Sequence, residues 1–182
     1  MKLWYVVLIV VVLMILAIGA IMLFVKEPKT QEKIDNMKLT SSAFENNQPI
    51  PTKYTCDGVN ISPPLLISEV PVSAQSLALI VDDPDAPAGD WVHWTVFNID
   101  PVTTQITEGS IPSGASEGMT DFGKATWGGP CPPSGTHHYQ FKLYALDTKL
   151  DLKTSAGKSD LEKAMQSHIL DQTVLVGLYS RG

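Results

Sequence analysis

A mainly β domain, an antiparallel sheet or sandwich with one helix near its C-terminus, is the fold class that three features of the sequence predict. Apolar runs of strand length recur along residues 37–182. Thirteen prolines and thirteen glycines fall largely in clusters, and clustered Pro and Gly mark turns and ordered loops. A single stretch opens with a helix-capping signature, and strands that do not alternate with helices do not build a parallel α/β sheet.

The elements follow in order. Leu3 to Val25 is an apolar run of 23 residues without a charge. As a helix it measures about 35 Å at ~1.5 Å per residue, enough to span a hydrocarbon core of roughly 30 Å with some tilt. Trp4 and Tyr5 at one end and Lys26 at the other are interface anchors. A cleaved signal peptide is the rival reading, with Ala17-Ile18-Gly19 offering small residues to a peptidase, but the run from Ile21 to Val25 continues past that point. Residues 1–25 are therefore expected to be a transmembrane anchor or uncleaved signal, and residues 26–36, polar and charged, a linker. Lys26, Lys29 and Lys33 outnumber the charges before the run, yet long domains translocate largely regardless of flanking charge. The expected location is an extracytoplasmic domain held at a membrane.

Met37 to Phe44 reads as the first strand. Asn46 to Pro49 and Asp57-Gly58 are turn chemistry. Leu77 to Val81 is a continuous apolar run, the mark of a strand buried on both faces. It stops at Asp82-Asp83-Pro84-Asp85-Ala86-Pro87, because proline has no N–H for a ladder and restricts its predecessor. Trp91 to Ile99 is the next strand. Alternation sets Trp91, His93, Thr95, Phe97 and Ile99 on one face and Val92, Trp94, Val96 and Asn98 on the other. Residues 107–136 have no period, and a loop this long in a compact domain is usually functional or disordered. His138 to Ala145 alternates cleanly, with His137, Tyr139, Phe141 and Leu143 towards the core and His138, Gln140 and Lys142 outward. Ser159-Asp160-Leu161-Glu162 is a capping box opening a helix to about Leu170, with His168 late in it. Thr173 to Tyr179 closes the chain as a strand.

The net charge of −6 comes with no basic patch, which argues against a nucleic-acid partner. Three strand ends carry polar or aromatic residues next to Gly/Pro loops: Asp83 and Asp85, then Trp91 and His93, then His137 and Tyr139. Brought together they would form a concave site with donors, acceptors and aromatic walls. A lone inward histidine is otherwise a hydrogen-bonded core residue, and aspartates beside prolines are otherwise Asx-turn formers.

These segments, in order, resemble the signature regions of the phosphatidylethanolamine-binding proteins, also called Raf-kinase-inhibitor-like proteins. The resemblance is carried by Asp83-Pro84-Asp85-Ala86-Pro87, by Trp91-Val92-His93-Trp94 and by Gly129-Pro130-Cys131-Pro132-Pro133-Ser134-Gly135-Thr136-His137-His138-Tyr139. Thr55 to Gly58, Ser62-Pro63-Pro64 and the closing Gly177 to Arg181 are similar to the prokaryotic branch. The resemblance implies a Greek-key β-sandwich with a C-terminal helix over residues 37–182. It implies a non-enzymatic pocket for a phosphate-type anion or phosphorylated head group, lined by Asp83, Asp85, Trp91, His93, His137 and Tyr139, with Gly129 and Pro130 as a wall. No cofactor is implied. A homodimer and a protein target are partners the resemblance allows. The position after His137, often arginine in the family, is His138 here. Cys56 and Cys131 flank the same pocket; in an oxidising compartment they can pair, and in the cytoplasm they stay thiols.

Two other classes compete. Residues 107–124 could act as a loop that enters a protease cleft, making the protein an inhibitor of a protease or kinase. Asp83, His93 and His137 could hold a divalent metal for an enzyme, although their spacing is not diagnostic. Gly114-Ala115-Ser116-Glu117-Gly118 matches the G-x-S-x-G of serine hydrolases, but a nucleophile elbow needs a buried strand before it and a helix after it, and neither is expected there.

Overall fold

A computed structural model of the chain describes residues 4 and 36–181. Apart from Trp4, the expected anchor over residues 1–25 lies outside the described residues, as does nearly all of the expected linker. Among the described residues no helix is long and apolar enough to cross a membrane. The described residues 36–181 belong to one compact unit.

Nine strands and one α-helix make up the described part: β1 (Lys38–Thr40), β2 (Gln48–Pro49), β3 (Leu65–Ser68), β4 (Ser76–Asp83), β5 (Trp91–Ile99), β6 (Gln105–Ile106), β7 (Ser116–Glu117), β8 (Thr136–Leu146), α1 (Lys158–Met165) and β9 (Ile169–Ser180). They form a three-stranded sheet in the order β1-β3-β6 and a six-stranded sheet in the order β2-β9-β8-β4-β5-β7. Neither sheet closes on itself. Every pairing is antiparallel except β2 with β9, so the larger sheet is mixed where a purely antiparallel one was expected. The exception sits at the sheet edge, the one place where Pro49 costs no ladder bond.

The core explains the apolar run of β4. Leu77, Leu79 and Val81 join Leu39, Leu65, Ile67 and Ile106 of the smaller sheet in one cluster. Ala78 and Ile80 join Leu161 and Met165 of α1 in a second. The larger sheet is thus covered on both faces, and β4, at its centre, has no polar side.

Four local expectations are corrected. The first strand is short: Ser41 Oγ donates to the Pro64 carbonyl and accepts from the Ala43 N–H, which turns the chain after Thr40. Strand β4 runs through Asp82 and Asp83 rather than stopping before them. The single alternation assumed for β5 is broken by irregularities between Leu77 and Leu79 and between Val81 and Asp82 in its pairing with β4, with Asn98 at φ 58. Phe97 consequently packs beneath the helix while Ile99 joins the central cluster. The helix ends at Met165, not Leu170, because pairing of Ile169 with Leu146 starts β9, and Ser167 turns the chain at φ 71. Its N-cap is Gly157, whose N–H donates to the Asp160 carboxylate at 3.1 Å. Glycine has no side chain to return the bond, so half of a capping box forms.

Candidate functional site

The loop leaving β4, the start of β5, the loop before β8 and the start of β8 enclose a cavity of about 390 Å³. Asp83, Trp91, His93, His137 and Tyr139 line it, together with Ala86, Pro87, Ala88, Phe122, Cys131, Pro132 and Pro133. The pairing of the strands brings them together. Asp83 is paired with Trp91 across β4 and β5, and β8 runs along the other side of β4.

Asp83 and His137, 3% and 6% exposed, form the polar centre. His137 Nδ1 meets Asp83 Oδ2 at 2.6 Å. The carboxylate is the acceptor, so it holds the ring with Nδ1–H inward and Nε2 as the remaining ring nitrogen. Asp83 Oδ1 accepts the Asp85 N–H at 2.9 Å. One side chain therefore closes the turn after β4 and orients the histidine.

His93 is fixed by a different partner. Its Nδ1 lies 2.6 Å from the Gly128 carbonyl, an atom that only accepts, so Nδ1 carries the hydrogen. Its ring meets those of Phe122 and Tyr139 edge to face at 5.3 and 5.1 Å. Burial pushes this imidazole below its ordinary value, against the Gly128 carbonyl and the Asp83 charge, which favour the proton. Tyr139 is 1% exposed. The Asp83 carboxylate and the Cys131 N–H lie near its hydroxyl, yet Oη completes no hydrogen bond to any described residue. Burial, then the charge of Asp83, raises its pKa far above the ordinary value, which keeps it a neutral donor. A buried hydroxyl without a partner is costly unless something supplies one.

Three residues named from the sequence sit differently. Asp85 is not on the cavity wall: its carboxylate accepts both the N–H and Nδ1–H of His138, and that bond, first of its causes, lowers its pKa. Gly129 and Pro130 are also absent from the wall. The Gly129 N–H donates to Asn60 Oδ1 at 2.8 Å and the Pro130 carbonyl accepts the Cys56 N–H. A Cβ on Gly129 would stand 2.4 Å from Asn60 Oδ1, so glycine there serves the contact between two loops. Cys56 and Cys131 form a disulfide with Cα atoms 5.5 Å apart. Phe122 was missed. It stacks edge to face on Trp91 at 5.6 Å, and a Cβ on Gly128 would lie 2.3 Å from its ring. The hint available was a lone aromatic residue in a Gly-rich loop.

Ser116 of the G-x-S-x-G match lies on the short strand β7, paired with Phe97 of β5, not at a strand-to-helix turn. Among the described residues no group of three or more His, Cys, Asp or Glu side chains is arranged to hold a metal ion.

The model of the phosphatidylethanolamine-binding protein family matches residues 40–180. The chain belongs to this family. A protein of Methanothermobacter thermautotrophicus described as a UPF0098 protein is 52% identical over 151 residues, covering 80% of this chain and all of that one. A UPF0098 protein of Chlamydia muridarum is 45% identical over 150 residues, covering 80% of this chain and 99% of its own length. Among solved structures, a phosphatidylethanolamine-binding protein homologue from Chlamydia trachomatis superimposes with a TM-score of 0.78 at 43% identity, covering 81% of this chain and 99% of that one. YbcL of Escherichia coli, described as a member of the mammalian phosphatidylethanolamine-binding protein family, gives 0.76 at 32% identity with the same coverage. As a phosphatidylethanolamine-binding-protein domain, the chain is a member of a ligand-binding family, and the cavity beside β4, β5 and β8 is where buried Asp83, His93 and His137 converge.

Proposed function

We propose that this phosphatidylethanolamine-binding-protein domain binds a small phosphate-type anion or phosphorylated head group without transforming it, and presents that pocket at a membrane surface through the apolar segment Leu3 to Val25. The observation that carries the reading is the convergence of an oriented histidine and an orphan hydroxyl on one cavity. His137 is held by Asp83, and Tyr139 Oη is buried without a partner among the described residues. In its protonated form His137 donates from Nε2, and Tyr139 donates from Oη. Both are charge-assisted when the acceptor is an anion. Trp91 and Phe122 on the wall offer ring faces to an ammonium group, worth about 0.5–2 kcal/mol. Few donors in a small open site give weak affinity, near millimolar or about −4 kcal/mol.

Calorimetric titration of residues 37–182 with phosphoethanolamine and with inorganic phosphate tests this. Saturable binding at pH 6, lost in His137→Ala with the fold retained by circular dichroism, is the expected result. A folded wild-type domain that binds neither ligand at ten-millimolar concentrations (about ten times the Kd expected above) would overturn it.

A further inference from the structure

Trp94 of β5, Glu117 of β7, Trp127 and the segments 60–62 and 109–111 enclose a second cavity, of about 320 Å³. It shares no lining residue with the cavity of Asp83, His93 and His137, so what it binds does not depend on the anion-binding reading. Glu117 is its distinctive residue. Pairing of Glu117 with Val96 sets it one diagonal step from Trp94, a separation that long and aromatic side chains span. Trp94, 1% exposed, donates its Nε1–H to Glu117 Oε1 at 2.6 Å. That bond holds the half-buried carboxylate in one orientation on the cavity wall. Its other oxygen has no hydrogen-bond partner among the described residues and stays open to solvent. No ion pair among the described residues includes Glu117, and no lysine, arginine or histidine lines the cavity. The side chains of Asn60, Ser62 and Ser110 are engaged by Gly129, Gly109 and Thr107. The Trp127 Nε1–H is closed off from solvent. The cavity therefore presents one oriented negative charge and no positive one, beside the apolar surface of Ile61, Ile111 and the Trp127 indole.

A carboxylate taken partly out of water without a counter-charge is unfavourable, and a cation in the cavity relieves it. A metal ion does not suit the wall. It needs several ligand atoms, which indole and isoleucine do not supply, and among the described residues no group of acidic, cysteine or histidine side chains is arranged to hold one. An alkylated ammonium ion suits it better. Its charge is spread over a weakly hydrated, largely apolar outline, which can lie against indole, aliphatic carbon and carboxylate at once. The volume is at the lower end of the roughly 300–1,000 Å³ of ligand pockets, which fits a molecule of few atoms. We infer that this cavity binds a small organic ammonium ion, with Glu117 as its counter-charge, Trp127, Ile61 and Ile111 around its alkyl groups, and Trp94 as the residue that positions the carboxylate.

Choline and its carbon isostere, in which a quaternary carbon replaces the nitrogen, make the test. They share size and outline and differ by one positive charge. Residues 37–182 lie within one compact unit and carry three tryptophans: Trp91 in the first cavity, Trp94 and Trp127 in the second. Choline titrated into this domain should bind about ten-fold more tightly than the isostere, the joint effect of the carboxylate and the indole. In nitrogen–proton correlation spectra it should move the indole N–H signal of Trp94, the donor to Glu117, and leave that of Trp91 in place. In Glu117→Gln the side-chain oxygen still accepts from Trp94, so the fold is kept while the charge is lost. The ten-fold preference should fall to about one there, with binding of the isostere unchanged. A preference that survives in Glu117→Gln, or equal binding of the two probes to the wild type, would overturn the inference. So would movement of the Trp91 signal alone, which would put the cation in the first cavity. Indole signals that all stay in place at about ten-millimolar choline, ten times the Kd of a weak site, would overturn it as well.

Discussion

Residue His93 carries a cost that the pocket imposes on the fold. Its imidazole titrates below the ordinary 6.5 because it is buried. The unfolded chain therefore takes up a proton, as pH falls below about 6.5, that the folded chain refuses. Stability is lost with acid wherever the unfolded state binds more protons. Urea unfolding of residues 37–182 should show a decline from pH 7 to pH 5 that is shallower in His93→Phe. A variant that declines as steeply as the wild type would remove His93 from the account. Asp83, His93, His137, Tyr139 and Trp91 could be named from the sequence because each ends a strand whose period is readable. Phe122 could not, because its position depends on the path of an aperiodic loop and on a Cβ missing from Gly128. Asp85, Gly129 and Pro130 were named with the others, but each is spent on a local partner: His138, Asn60 and Cys56. Adjacency in a motif says nothing about which way a side chain turns.

Among the elements, α1 is held to the sheet by charge as well as by Leu161 and Met165. Asp82 is fully buried on β4 and meets Lys142 of β8 at 2.7 Å and Lys158 of α1 at 2.5 Å. Burial works against the Lys158 charge, but hydrogen bonds to Asp82 and Asp90 outweigh it and hold the lysine above its ordinary range. One oxygen of Asp82 has no partner among the described residues, and both lysines share the other. Lys158→Met should destabilise by about 2 kcal/mol, the scale of one lost hydrogen bond to a charged group, because Lys142 still meets Asp82; urea denaturation measures it. Asp82→Leu with Lys158→Met should recover much of that, since Lys142 is 22% exposed and can extend its ammonium to water. A double variant no more stable than the single one would mean that the helix is held by packing alone. This network was invisible in the sequence: Asp82 reads as one more turn aspartate, and only the continuation of β4 through it makes it a buried one. The strands at 76–83, 91–99 and 136–146 were legible because the first is an unbroken apolar run and the other two are long enough to show alternation. The ends of β1 and α1 were not, because Ser41 and the capture of Ile169 by β8 decide them through tertiary contact.

For the whole molecule, the disulfide and the apolar N-terminal segment make linked demands. Cys56 and Cys131 close 75 residues, tying the loop after β2 to the loop that carries the Pro132 and Pro133 wall of the cavity. In the chain-entropy account a closure of that length stabilises by about 4 kcal/mol. Reduction, or Cys56→Ser with Cys131→Ser, should lower the unfolding free energy by that order, and a change under 1 kcal/mol would show that the bond constrains little. The bond persists only where the compartment is oxidising. It therefore reports topology, which the lysines around Leu3 to Val25 leave undecided. If that segment anchors the domain outside the cytoplasm, the full chain should sediment with membranes and resist alkaline extraction. Leu13→Arg, which adds roughly 3 kcal/mol to insertion at the helix centre, should shift it towards the soluble fraction. The same membrane-bound chain, treated with a thiol-reactive mass tag before any reductant, should take up no tag and then two after reduction. Two tags without reduction would place the domain on the reducing side. The pocket would then lie on the cytoplasmic side, with its wall held by loop packing alone.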